Sequence, residues 1–201
     1  MTDLLIATNN PGKLAEFRRL LTTLPVRLVD PAQIGLSLTV PEPHLVYAEN
    51  AAAKAEAFCR ACGKLTLADD SGIEVVALNG GPGPRSARLG SDAHDPVDVL
   101  LDRLAGVTDR RARMVCWLAL AIPRGQDRVD ISLFEGTVDG SVAAERRGRG
   151  GFGYDPVFLL PEGVTSAELS DAEKDARSHR GRAVSAALPR LREVVTATRL
   201  T

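Results

Sequence analysis

Apolar positions along the chain change period several times, and the changes mark alternating strands and helices. Leu4-Leu-Ile-Ala7 is an unbroken apolar run, the pattern of a buried strand. From about Gly12 to Thr22 the residues Leu14, Phe17, Leu20 and Leu21 recur at helical spacing and predict an amphipathic helix. Arg27-Leu-Val29 reads as a second short strand, and the proline-punctuated stretch from Pro31 to His44 as loop. Helical patterning returns from Val46 to about Cys62. Leu65 to Asp69 then reads as a strand, which the turn residues Asp70-Ser-Gly72 reverse into a partner strand, Ile73 to Leu78. Asn79-Gly-Gly-Pro-Gly-Pro84 is loop.

Asp95 before Pro96 opens another helix, running to Leu104. Arg113 to Ile122 and Val129 to Val138 predict two long antiparallel strands joined by Pro123-Arg-Gly-Gln-Asp127, and Tyr154 to Leu160 a further buried strand. Ser170-Asp-Ala-Glu173 is a capping box, so a helix starts near Asp171 with Lys174 in its first turns. Ser178-His-Arg-Gly-Arg182 punctuates it. The last helix carries Val184, Leu188, Leu191 and Val195 as its stripe, with a kink expected at Pro189. This order predicts an α/β fold with a mixed sheet, as one domain over residues 1–201 in two lobes with a cleft between them.

Composition narrows the partners. The 201 residues are 44% hydrophobic and 25% charged, which is ordinary for a globular chain, and the formal net charge of −1 offers no broad basic face for a nucleic-acid polymer. No apolar run is long enough to span a bilayer, and the first residues lack the cationic flank and cleavage site of a signal peptide, so the chain is expected in the cytoplasm. Cys59 and Cys62 have metal or redox spacing but no second paired motif beside His44, His94 and His179, and their helical setting favours packing.

Three stretches carry candidate chemistry. Thr8-Asn-Asn-Pro-Gly-Lys13 joins a strand to a helix N-terminus, where backbone amides and the helix dipole suit a phosphate and Lys13 adds a charge; the same loop also reads as a plain Asn-capped helix start, and it is not a Walker A sequence. Asp69 and Asp70 point to opposite faces of an extended segment, and carboxylates held so suit Mg²⁺, although Asp-Asp-Ser-Gly alone is also ordinary turn chemistry. In Arg146-Arg-Gly-Arg-Gly-Gly-Phe-Gly-Tyr-Asp-Pro156, glycines let the backbone approach a ligand and Phe152 or Tyr154 can stack on a flat ring.

Taken in order, Thr8 to Lys13 with Glu16, Glu49-Asn-Ala-Ala-Ala-Lys54, Ala68-Asp-Asp-Ser-Gly72, Pro82-Gly-Pro-Arg-Ser-Ala-Arg88, Gly150-Gly-Phe-Gly-Tyr-Asp-Pro156, and Ala167-Glu-Leu-Ser170 through Lys174 to Ser178-His-Arg180 resemble the inosine/xanthosine triphosphate pyrophosphatase family along nearly the whole chain. The resemblance implies a homodimeric, Mg²⁺-dependent enzyme with a long central mixed sheet, which hydrolyses ITP, dITP and XTP to the monophosphate and pyrophosphate and so clears deaminated purines from the nucleotide pool. It implies that Thr8, Asn9, Asn10, Pro11, Gly12 and Lys13 meet the triphosphate, and that Asp70 binds metal and activates water with support from Asp69. Ser71 and Lys174 would touch substrate, Phe152, Gly153, Tyr154 and Asp155 would cover the base, and His179 with Arg180 would read its edge. Glu42 is the nearest match to the family's metal-binding glutamate, with Pro43-His44 and Val46-Tyr47 where the family more often shows Thr-Gly and Thr-Phe.

Cleavage between the α and β phosphates needs a water aligned on the α phosphorus and cations to offset the charge that develops, which Mg²⁺ with Lys13, Lys54 and Lys174 would supply. No nucleophile set of the Ser-His-Asp or Cys-His kind stands out, so direct attack by water is expected. The alternatives are a phosphatase releasing orthophosphate and a non-catalytic nucleotide-binding module. A haloacid-dehalogenase type would begin with Asp-x-Asp where this chain has Thr8-Asn-Asn.

Overall fold

Parallel pairing at the start of the sheet follows from the helices that separate its strands. The computed structural model describes residues 1–90, 94–125 and 128–199. β1 (Thr2–Ile6) is followed by α1 (Pro11–Leu20), β2 (Val26–Val29), α2 (Tyr47–Cys62) and β3 (Leu65–Val75). A helix between consecutive strands lets the chain return in the same direction, and β1 indeed runs parallel to both β2 and β3, with Leu4 opposite Leu28 on one side and Leu65 on the other. Then come α3 (Pro96–Arg103), β4 (Arg111–Pro123), β5 (Val129–Val142), β6 (Phe158–Leu159), α4 (Asp171–Arg177) and α5 (His179–Arg199). The strand order is β2-β1-β3-β4-β5-β6, and β6 pairs antiparallel to β5, so the sheet is mixed as expected.

The described residues group into two compact units, one drawn from Met1–Asp70, Trp117–Gly136 and Ala183–Thr201, the other from Ser71–Cys116 and Thr137–Arg182. In the first, small residues on α2 (Ala51, Ala55) meet small residues on the sheet (Ala68, Ala119, Ala121) and Ala7 just past the end of β1, with Phe58 and Val29 filling the rest of the cluster. Such small side chains let helix and sheet backbones approach closely. Cys59 belongs to this core and Cys62 packs against it. In the second unit Ile73, Val75, Leu100, Leu104, Val138, Val157 and Phe158 form the core. Each such side chain contributes about 1.5–3 kcal/mol when fully buried.

Three sequence expectations need correction. Asp69 to Gly72 do not turn: β3 runs unbroken from Leu65 to Val75, and no hairpin forms there. The turn propensity of Asp, Ser and Gly is local, whereas β3 is an interior strand, paired with β1 through Leu65–Leu67 and bordered by β4 on its other side. Ile73 and Val75 are fully buried with half-buried Glu74 between them, so the alternation of a strand simply continues. Tyr154 to Leu160 is mostly turn, with only Phe158–Leu159 paired, because its apolar residues fill the core without extending. The expected break at Ser178 to Arg182 is a single non-helical residue, Ser178, after which α5 starts at His179. The two long strands are present as neighbours and extend further than their apolar runs, while Gln126 and Asp127 of the joining loop lie outside the described residues.

Candidate active site

The first group of side chains is built on the strand–loop–helix start of the chain. Asn10 caps α1, its Oδ1 accepting from the amides of Gly12 at 2.9 Å and Lys13 at 3.1 Å, and its own amide donates to the Thr8 hydroxyl at 3.2 Å. Asn9, Asn10 and Pro11 are exposed, while Thr8, Gly12 and Lys13 are half-buried. The capped turn directs Lys13 onto β3, where its ammonium lies 3.0 Å from the buried carboxylate of Asp69.

Alternation along β3 turns Asp70 to the face that Ala68 shares with α2, and there the carboxylate meets Asn50. Nδ2 of Asn50 donates to Asp70 Oδ2 at 2.8 Å, and the amide is fully buried. Four residues along α2, Lys54 donates to the Asp69 carbonyl at 3.0 Å and forms an ion pair with Glu42. Burial pushes the Asp70 carboxyl above its ordinary value; the Asn50 hydrogen bond opposes the rise, nearby Glu42 adds to it, and Lys54 and Lys13 oppose it. These are hard oxygen donors beside two lysines, a set that suits a small divalent cation sharing a polyphosphate.

A second group lies in the other unit. The Gly-rich loop folds around the buried carboxylate of Asp155, whose Oδ2 accepts from the Phe152 amide at 2.7 Å and from Lys174 at 2.5 Å. Gly151 has φ +70° and no space for a Cβ, which would collide with that same carboxylate, so this position requires glycine. Lys174 stands 4.9 Å and Arg180 5.7 Å from the centre of the Phe152 ring, within cation–π range. Arg180, 2% exposed, donates to the Ser71 hydroxyl at 3.0 Å. His179 is buried and Gly153 exposed. Tyr154 is separated from Phe152 by its setting: it is packed in the core and donates to the Ser86 carbonyl at 2.7 Å, so Phe152 is the ring of the two that stays partly open.

Asn50 escaped the sequence reading as a site residue, although a signal was present. It shares helical spacing with Tyr47, Ala51, Ala55 and Phe58, all buried, so an amide sits on the apolar face of α2. A buried amide must be hydrogen-bonded, which points to a partner worth finding.

Fold and side chains together define a class: an α/β protein equipped for a phosphorylated ligand, with buried carboxylates, lysines and a helix opening from a strand. A family model described as the Ham1 family matches residues 4–190. The chain belongs to the Ham1 family. It is 42% identical over 188 residues to a Staphylococcus epidermidis protein named dITP/XTP pyrophosphatase, covering 92% of this chain and 93% of that one. A Nitrosomonas europaea protein of the same name is 44% identical over 197 residues, covering 96% of each chain. The solved structure of a HAM1 protein from Coxiella burnetii is similar at TM-score 0.82 and 33% identity, covering 98% of this chain and all of the other.

Proposed function

We propose that this protein is a nucleoside-triphosphate pyrophosphatase that hydrolyses dITP, XTP and ITP to the monophosphate and pyrophosphate. The observation that carries the reading is the setting of Asp70, a buried carboxylate held by Asn50 with Glu42, Lys13 and Lys54 around it. Curated relatives named dITP/XTP pyrophosphatase, matched over nearly their whole length, supply the substrate class.

The loop from Thr8 to Lys13 takes the triphosphate, with Lys13 leaving Asp69 to meet the anion. Lys54 neutralises charge that builds on the phosphate oxygens. Asp70 orients the attacking water and accepts its proton as the new bond to the α phosphorus forms and the bond to the leaving pyrophosphate breaks. Glu42 and Asp70, with Asp69 close by, would hold Mg²⁺, which binds through one or two carboxylates plus phosphate and supplies charge neutralisation on the leaving group. Phe152 and Asp155 with Lys174 form the base subsite, and Arg180 with His179 its edge.

A homodimer working on the cytoplasmic nucleotide pool completes the reading. Among the described residues, no helix is long and apolar enough to cross a membrane. The test is a nucleotide panel with separate detection of pyrophosphate and orthophosphate. Pyrophosphate from dITP, XTP and ITP, abolished about a hundred- to ten-thousandfold in Asp70→Asn, is expected, because the amide can neither accept the proton nor balance a cation. Orthophosphate as first product would establish a phosphatase instead, and no turnover a binding module.

A further inference from the structure

Asn50 makes contacts on two sides that the proposed reaction leaves unexplained. Its Oδ1 accepts from the His44 amide at 3.2 Å while its Nδ2 donates to the His44 carbonyl at 3.1 Å. This two-point pairing with the backbone of one residue fixes which end of the side-chain amide is nitrogen, since an N–H must find an oxygen and a carbonyl must find an N–H. The remaining N–H of Nδ2 is therefore committed to Asp70 Oδ2 at 2.8 Å. One side chain ties together the helix that carries Lys54, the strand that carries Asp70, and the loop that carries Glu42 two residues before His44.

We propose that Asn50 is a positioning residue that fixes the loop bearing Glu42 against the carboxylate of Asp70, and so sets the separation of the two oxygens that receive a divalent cation. The inference rests on the metal reading of Glu42 and Asp70 given above. It also accounts for the local departure from the family pattern. The clamp uses only the backbone N–H and C=O of residue 44, so His44 serves as well as a smaller residue, and its imidazole is turned outward to Glu49 at 3.1 Å. Groups that orient metal-binding carboxylates typically govern affinity about ten- to hundredfold without touching the ion.

The test uses the full-length protein and Mn²⁺ as a paramagnetic stand-in for Mg²⁺, with binding read by electron paramagnetic resonance in the absence of nucleotide. Asn50→Ala is expected to weaken Mn²⁺ binding about ten- to hundredfold and to lower kcat, with KM for ITP changed less than about threefold. Asn50→Leu keeps the volume of the side chain, adds no charge or metal ligand, and loses all three bonds. It serves as the second variant if the alanine does not fold, and the same pattern is expected of it. A variant that melts earlier yet binds Mn²⁺ and turns over like wild type reduces Asn50 to a packing residue and overturns the proposal. Wild type that fails to bind Mn²⁺ overturns the metal reading itself, a different result visible before any variant is made.

Discussion

The ammonium of Lys174 lies 2.5 Å from Oδ2 of Asp155, and each side chain is only 6% exposed. The same oxygen holds the Phe152 amide, so one carboxylate both neutralises the lysine and shapes the Gly-rich loop. Breaking a buried pair by removing one charge typically costs about 3–5 kcal/mol, because the partner is left buried and uncompensated. Asp155→Asn should therefore lower stability by about that amount in urea unfolding while still accepting the Phe152 N–H. Adding Lys174→Met should recover part of the loss, and neither variant should hydrolyse ITP well. An unchanged urea midpoint for Asp155→Asn would show that the pair contributes nothing to the fold.

Gly181, inside the first turn of α5, gives a prediction whose sign is decided by space. Alanine is worth about 1 kcal/mol over glycine inside a helix, so propensity alone predicts stabilisation. A Cβ here, however, would run into the backbone carbonyl of Asp175 and come within 3.2 Å of Ser178 Oγ. Backbone cannot rotate away as a flexible side chain can, and overpacking costs about 1–3 kcal/mol. Gly181→Ala should lower the melting temperature and, by shifting the adjacent Arg180, raise KM for ITP. A higher melting temperature with unchanged KM would refute the close approach.

The elements that could be read from the sequence are those fixed locally. The capping box at Ser170 and Glu173, Asp95 before Pro96, and the Asn10 cap each act within one turn, and all are present. What could not be read depends on contacts distant in sequence. Nothing in Asp-Asp-Ser-Gly reports that it will continue an interior strand bordered by β4, and the apolar run at Tyr154 looks alike whether it fills a core as strand or as turn. Among the candidate site residues, Asp69, Asp70, Lys13 and Lys54 were legible by residue type and do gather in one unit. Asn50 was not, because its meaning comes from residues 44 and 70.

Asp3 ties the edge of the sheet together and makes it sensitive to pH. It sits on β1 directly opposite Arg27 of β2, which donates through Nε at 2.7 Å and Nη2 at 2.8 Å, and it also receives Lys64, just before β3, at 2.9 Å. The two cations hold its carboxyl well below the usual aspartate value. A depressed folded value means the stabilisation is complete above the unfolded value and is lost as pH falls through the folded one. Because Arg27 is mostly exposed, solvent screens the pair and the effect is small. Asp3→Asn should melt below wild type at pH 7, with the gap closing only in strong acid and shrinking in 1 M salt by roughly the screening expected at that strength. A gap that widens on acidification would contradict this assignment.

Selectivity among purines provides the last prediction. Arg180 is 2% exposed, donates to Ser71 Oγ and reaches toward the Phe152 ring, so its guanidinium is fixed beside the aromatic proposed to cover the base. A guanidinium carries only donors. It can serve the 6-keto oxygen of hypoxanthine or xanthine but finds no acceptor in the 6-amino group of adenine. A buried donor left without its partner costs about 1–3 kcal/mol, which is roughly a 5- to 150-fold preference, and a site built around such a bond can reject by more when neighbouring groups are disturbed together. Wild type should therefore hydrolyse ITP and XTP far better than ATP. Arg180→Ala should cut kcat/KM for ITP much more than the low ATP background, bringing the two rates closer. Ser71→Ala removes the hydroxyl that Arg180 meets while keeping the cation, and should preserve the ratio even where it lowers both rates. If Arg180→Ala lowers ITP and ATP hydrolysis in proportion, the arginine supports the fold and does not read the base.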